Sequence, residues 1–238
     1  MIPKIIHYCW FGRGEMPQLA KDCIASWHKY MPDWEYRLWN EDNFDINIVP
    51  YVREAYDSRK FAFVSDYVRL WALYNEGGLY LDVDFLVFKP FDDLLSYPAF
   101  AGYEGSKHSP VMMGVCASEP KGIWVKEMLD SYTGRHFVIE GNLDLTTNVD
   151  FITKIMARNG FVQDGKEKDY KDLHIFPVDY FCPRQTTGEY FKTDNTYCDH
   201  VGTCSWNDKS TGWKKKILAI LGTRNSIALI KLKRRLIG

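Results

Sequence analysis

The chain has 238 residues, 46% hydrophobic and 26% charged, a soluble globular balance long enough to bury a core without staples. Its formal net charge of −1 is unevenly placed. Residues 214–238 hold eight basic groups and no acid, while residues 1–213 carry 22 basic against 31 acidic groups, a net of −9. An acidic body would be repelled by nucleic acid, so that partner is not expected. Six scattered cysteines without a C-x-x-C pair fit free thiols in a reducing compartment. There is no N-x-S/T sequon, and Met1 to Trp10 is too aromatic for a signal peptide. No apolar run reaches the roughly 18 residues of a membrane span. Aromatics at 16% supply core and, equally, flat surfaces that stack on sugars and bases.

Ile5 to Phe11 is β-rich and ends at Gly12, a first strand. Leu19 to Tyr30 reads as a helix stopped before Pro32, and Trp34 to Trp39 alternates as a second strand. Ser65 is placed to cap a helix from Asp66 to about Glu76, which Gly77-Gly78 stops. Leu79-Tyr80-Leu81 is a short buried strand running into Asp82, and Phe85 to Phe88 follows it. Pro98 to Tyr103 and Met112 to Ala117 read as further strands. Ser131 to Thr147 and Asp164 to Lys171 read as surface excursions. Strands alternating with helices predict an α/β fold with a mostly parallel sheet. The expected division is a domain over 1–212 and a tail over 213–238. Trp213 to Leu221 and Asn225 to Leu236 mix Ile, Leu and Ala with Lys and Arg, the pattern of basic amphipathic helices.

The chemistry centres on Asp82-Val83-Asp84. In extended chain, residues two apart share a face, so both carboxylates can address one site. Carboxylates suit hard cations such as Mg²⁺ and Mn²⁺, and a cation neutralises charge on a departing diphosphate. A bare D-x-D is a weak signal, for which a polar turn is the plain alternative. Its setting strengthens it, with a strand before it and Asp66 and Arg69 three apart on one helix face upstream. That pair is ordinarily a local ion pair; beside a diphosphate, Arg69 could fork onto phosphate oxygens and Asp66 take a sugar hydroxyl.

The stretch Phe61 to Asp84, with S-D-x-x-R, then GG-x-Y-x-D-x-D, resembles the sugar-binding D-x-D region of glycosyltransferase family 32 and is similar to the glucosyltransferase domain of large clostridial toxins. The resemblance runs from about Ile2 to about Trp206. It implies a GT-A fold and a retaining, Mn²⁺- or Mg²⁺-dependent transfer of a hexose from a nucleotide-sugar, UDP-hexose favoured over GDP-mannose. By resemblance Trp10 stacks on the base, Asp66 and Arg69 grip sugar and diphosphate, Asp82 faces ribose and sugar, and Asp84 holds the metal. A late H…S-W motif, His200, Ser205 and Trp206, closes over the diphosphate, with His200 a metal or phosphate ligand. Thr146-Thr147-Asn148 stands where the family has a T-G-P-like turn, so Asn148 is assigned loosely to the donor sugar. Glu104 and His108 face the cleft or the solvent. Cys198, His200 and Cys204 also read as part of a zinc site, though a fourth ligand is missing.

An acceptor on a lipid-linked glycan, in capsular polysaccharide or O-antigen synthesis, suits the basic tail, which an anionic membrane would attract; a tail packed on its own domain suits it equally. The expected location is the bacterial cytoplasm, peripheral to the inner face of the membrane. The alternatives are a non-catalytic sugar-binding module and a metal-dependent phosphohydrolase, the latter lacking an aspartyl nucleophile motif. The oligomeric state is not legible.

Overall fold

The computed structural model describes residues 1–104, 111–184 and 190–202. In chain order the elements are β1 (Ile5–Cys9), α1 (Gln18–Tyr30), β2 (Glu35–Trp39), α2 (Pro50–Asp57), α3 (Phe61–Glu76), β3 (Gly78–Leu81), β4 (Phe85–Val87), β5 (Ala99–Tyr103), β6 (Val111–Ser118) and α4 (Ile123–Asp130). There follow β7 (Val138–Ile139), β8 (Asn142–Leu143), α5 (Asn148–Arg158), β9 (Lys168–Tyr170), β10 (Leu173–Phe176), α6 (Val178–Phe181) and β11 (Cys198–His200).

A seven-stranded sheet runs in the order β2-β1-β3-β6-β5-β10-β9. β1 pairs parallel with β2 and β3, and β10 with β5, while β6 and β9 run against their neighbours. Five of the seven strands therefore point one way, a mixed but mostly parallel sheet. Its inner strands are buried on both faces, the edge strands β2 and β9 only in part, and their alternation sorts side chains into two cores. Tyr80, Met113 and Cys116 join Trp39, Tyr67 and Trp124 on one face. Leu79, Leu81 and Val115 join Trp27, Phe85 and Phe181 on the other.

The Gly77-Gly78 turn is held from inside the sheet. Gly78 has φ +108°, and a Cβ there would lie 2.6 Å from the Ile5 carbonyl oxygen, so only glycine fits. His7, wholly buried, receives a hydrogen bond from Trp39 Nε1 on Nδ1 (3.1 Å) and therefore donates from Nε2 to the Gly77 carbonyl (2.7 Å). Burial lowers its pKa and keeps the ring neutral for that role.

Three expectations need correction, the first being Asp164 to Lys171 as a surface excursion, since that stretch supplies β9 of the main sheet with Tyr170 buried. α3 begins at Phe61, not Asp66, so Ser65 is no cap. Its hydroxyl bonds back to the Phe61 carbonyl at 3.2 Å, the i−4 alternative open to serine inside a helix; burial of Phe63 and Val64 carries the helix upstream. Nor is Ser131 to Thr147 merely surface, because Tyr132 and Phe137 are fully buried. Glu54 of α2 fixes that segment by accepting from the Phe137 and Val138 amides at 2.7 and 2.9 Å.

The described cysteines are all buried, and Cys9, Cys23, Cys116 and Cys198 carry free thiols. Among the described residues no helix is long and apolar enough to cross a membrane. His108, Cys204, Ser205, Trp206 and the tail 213–238 lie outside the described residues.

Candidate functional site

The parallel strands β1, β3 and β5 end on one edge of the sheet, where open α/β sheets bind ligands. Trp10, Asp82 and Glu104 are the residues that follow them. Asp82 is fastened by its amide to the Gly114 carbonyl of β6 at 2.8 Å. Its carboxylate accepts from Tyr80 Oη at 2.7 Å.

Asp84 is placed by a second, two-stranded sheet, in which β11 returns antiparallel to β4 with His200 opposite Phe85. The rings of Phe85 and His200 stack at 4.7 Å and 7°. The Val201 amide donates to the Asp84 carbonyl at 3.0 Å. His200 Nε2 thereby stands 3.2 Å from Asp84 Oδ2, joining residues 116 positions apart. Burial lowers the imidazole pKa, but the Asp84 hydrogen bond and the charges of Asp84, Asp82 and Glu104 outweigh it and raise it to about 9. Glu104 faces the same place: burial raises its carboxyl, with His200, Asp82 and Arg69 as its charged neighbours.

Beneath lies Arg69. Its side chain is 6% exposed and Asp66's 11%, against 33% for Asp82, 27% for Asp84 and 35% for His200, so the last three are the most open to a ligand. Arg69 donates to Asp66 (3.0 Å), Asp82 (3.3 Å), the Met113 carbonyl (2.6 Å) and the Ser65 carbonyl (3.3 Å), and lies 4.6 Å over the Tyr80 ring. The sequence pointed this guanidinium at phosphate; in the structure it joins α3 to the D-x-D carboxylates. Burial raises the Asp66 pKa to about 6, against the opposing charge of Arg69.

Trp10 is half-buried after β1, its indole N–H donating to the Gly14 carbonyl at 2.5 Å. Asn148, 6% exposed, opens α5, whose cap is Thr147. Tyr132 Oη donates to Asn148 Oδ1 at 3.4 Å, and Asn148 is close enough to Asp66 to ease its charge. Arg135 belongs to this cluster too and had no signal in the sequence, because its partners are far apart along the chain. Cys198 turns its thiol to the Phe181 carbonyl in the core. Among the described residues no group of three or more His, Cys, Asp and Glu is arranged to hold a metal.

Residues 17–101 match the family model of a glycosyltransferase sugar-binding region containing a DXD motif. A solved structure, the PaToxG glycosyltransferase, superposes with a TM-score of 0.50 at 17% identity, covering 67% of this chain and 70% of that one. The fold is GT-A. Inositol phosphoceramide mannosyltransferase 3 of Schizosaccharomyces pombe is 37% identical over 103 residues, which is 42% of this chain and 29% of that protein. An uncharacterized glycosyltransferase of Acanthamoeba polyphaga mimivirus is 26% identical over 218 residues, covering 87% of this chain and 84% of that one. The chain thus spans under a third of the length of the first curated relative it matches.

Proposed function

We propose that the chain is a retaining, metal-dependent glycosyltransferase of the family 32 type, akin to the clostridial toxin domain, that moves a hexose from a nucleotide-sugar to a glycan acceptor. The observation that carries the reading is the Asp84–His200 pair at the ligand-binding edge of a GT-A sheet. The two donors are 3.2 Å apart, close to the roughly 3 Å between neighbouring ligands on an octahedral cation with bonds of about 2.1 Å. A cation would displace the proton that His200 holds against Asp84, leaving one carboxylate and one imidazole, donors that suit Mn²⁺, while a carboxylate-rich cleft suits Mg²⁺. Two protein donors leave positions for phosphate oxygens and water.

Asp84 and His200 would hold the cation, which supplies charge neutralisation for the leaving diphosphate. Trp10 offers a ring face to the base. Asp82 and Asp66 accept hydrogen bonds from ribose or sugar hydroxyls, and Arg69 fixes both carboxylates in place. Ser205 and Trp206, outside the described residues, are assigned to the diphosphate by the resemblance alone. Retention follows by acceptor attack on the face the diphosphate leaves.

UDP-hexose is the first donor to test. GDP-mannose is the second, because relatives in Schizosaccharomyces pombe are named inositol phosphoceramide mannosyltransferases, names that also support a lipid-borne acceptor. A lipid-linked glycan acceptor and a basic tail at an anionic inner membrane surface belong to the same reading. The deciding experiment is a thermal-shift screen of nucleotide-sugars with Mn²⁺, followed by hydrolysis of the stabilising donor. A true donor stabilises by mass action. Turnover should vanish in EDTA and in Asp84→Ala; undiminished turnover in EDTA ends the proposal.

A further inference from the structure

β11 delivers His200 on little support. It is three residues long and pairs only with β4. Period two puts Cys198 and His200 on one face and Asp199 on the other. The Cys198 thiol turns to the core and the His200 ring stacks on Phe85, so packing holds that face. The other face presents a carboxylate. Asp199 is 1% exposed, and a charge so placed has to be met inside the protein.

Arg184 meets it, Nη2 donating to Asp199 Oδ2 at 2.7 Å. Asp199 Oδ1 and Arg184 Nε are buried without a hydrogen-bond partner among the described residues, so a single hydrogen bond ties the pair. Arg184 is itself anchored. Its backbone bridges antiparallel to Tyr190, whose ring centre lies 5.0 Å from the guanidinium. The Phe191 amide donates to the Pro183 carbonyl at 2.9 Å. The ion pair thus fastens β11 to the segment that leaves α6.

A buried carboxylate stripped of its cation is among the costliest lesions a fold can take. The ladder hydrogen bonds of a three-residue strand are each worth far less. Without Arg184, Asp199 therefore draws β11 toward water, and the strand cannot turn one residue outward without moving its neighbours. His200 is the next residue. The one after it is Val201, whose amide donates to the Asp84 carbonyl at 3.0 Å.

We propose that Arg184 is a positioning residue for the cation site, acting through Asp199 to seat β11 and so hold His200 against Asp84. This rests on the glycosyltransferase reading and adds to it a residue outside its motifs on which metal binding depends.

The test titrates Mn²⁺ into the full chain, alone and with UDP or GDP, and reads the free ion by its paramagnetic signal. Hydrogen exchange follows the same proteins without metal. Both run at about pH 7.5, far above an ordinary carboxyl pKa, so that protonation offers Asp199 no ready escape. R184M should weaken Mn²⁺ binding about 10–100-fold, the usual loss when a partner behind a metal ligand is removed. Exchange at Asp199 to Val201 should rise at least tenfold while β1 and β3 stay as protected as before. R184K keeps the charge and should stay within about threefold of the unchanged chain in Mn²⁺ affinity. R184M combined with D199L removes both charges, and a pair replaced by apolar groups can stay seated; this double variant should recover Mn²⁺ affinity to within about threefold. Should R184M not fold, R184Q decides on the same criteria. Unchanged Mn²⁺ affinity or exchange in the single variant, or no recovery in the double variant, overturns the positioning role alone. An unchanged chain that binds neither Mn²⁺ nor either nucleotide overturns the glycosyltransferase reading beneath it.

Discussion

Gly202 follows the strand that delivers His200, and it leaves no room for a side chain. A Cβ there would stand 1.8 Å from Asp84 Oδ2 and 2.5 Å from its carboxyl carbon, where ordinary contact begins at 3.4 Å. Gly202→Ala must therefore push the carboxylate away by about 1.6 Å or lift the backbone after β11. Either movement breaks the 3.2 Å register with His200. A misplacement of about 1 Å at a reacting centre costs on the order of a hundredfold in rate. The cost to stability is smaller, because Gly202 is only half-buried and the obstacle is the end of one side chain. We expect metal-stimulated hydrolysis of the donor to fall about a hundredfold and the Mn²⁺ concentration for half-maximal rate to rise. The melting temperature should move by no more than about 3 °C, roughly 1 kcal/mol for a chain of this size. The assay is initial rate against Mn²⁺ beside a thermal melt. Unchanged rate and Mn²⁺ response in a folded Gly202→Ala protein would refute the assignment of Asp84 to the metal.

Arg69→Met should be a folding lesion first. It leaves Asp66 and Asp82 without their shared cation in a buried place and frees the Met113 carbonyl, at a cost of about 3 kcal/mol or more. A urea midpoint within 0.5 kcal/mol of the unchanged chain, that margin being the usual range for exposed surface positions, would show that Arg69 does not organise the site. Asp66 predicts a pH effect of definite sign. Its carboxyl is raised from an ordinary 3.8 to about 6, so between those values the folded chain binds more protons than the unfolded one. Stability then falls as pH rises through that window, by about 3 kcal/mol, and changes no further above it. Urea titrations of the unchanged chain and of Asp66→Asn should diverge between pH 4 and 6; parallel curves would contradict the buried carboxyl.

Features whose causes are local could be read directly from the amino-acid order. Gly77-Gly78 forces the turn and Leu79 to Leu81 supplies the strand that runs into Asp82, so the D-x-D edge was legible in about eight residues; the strand stops at Leu81, however, and Asp84 is set not by extended-chain alternation but by a turn in which the Phe85 amide donates to the Asp82 carbonyl at 3.1 Å. α1 and β2 emerged within a residue of their expected limits for the same reason, patterning and stop signals. Contacts between distant parts of the chain came from the packed fold. β11 is three residues long and has no periodicity to detect, yet its pairing with β4 sets His200 against Asp84. Arg69 reads from sequence as a free phosphate ligand, but packing of α3 against β3 and β6 turns it to two carboxylates and a carbonyl. Arg135 gave no signal, since Tyr51, Asp144 and Phe151 reach it from separate elements. Ser65 kept a capping pattern that burial of Phe63 and Val64 overrode. Short-range sterics fix turns and faces from few residues, whereas a site assembled by chain return depends on the sum of many packing contacts that no local window contains.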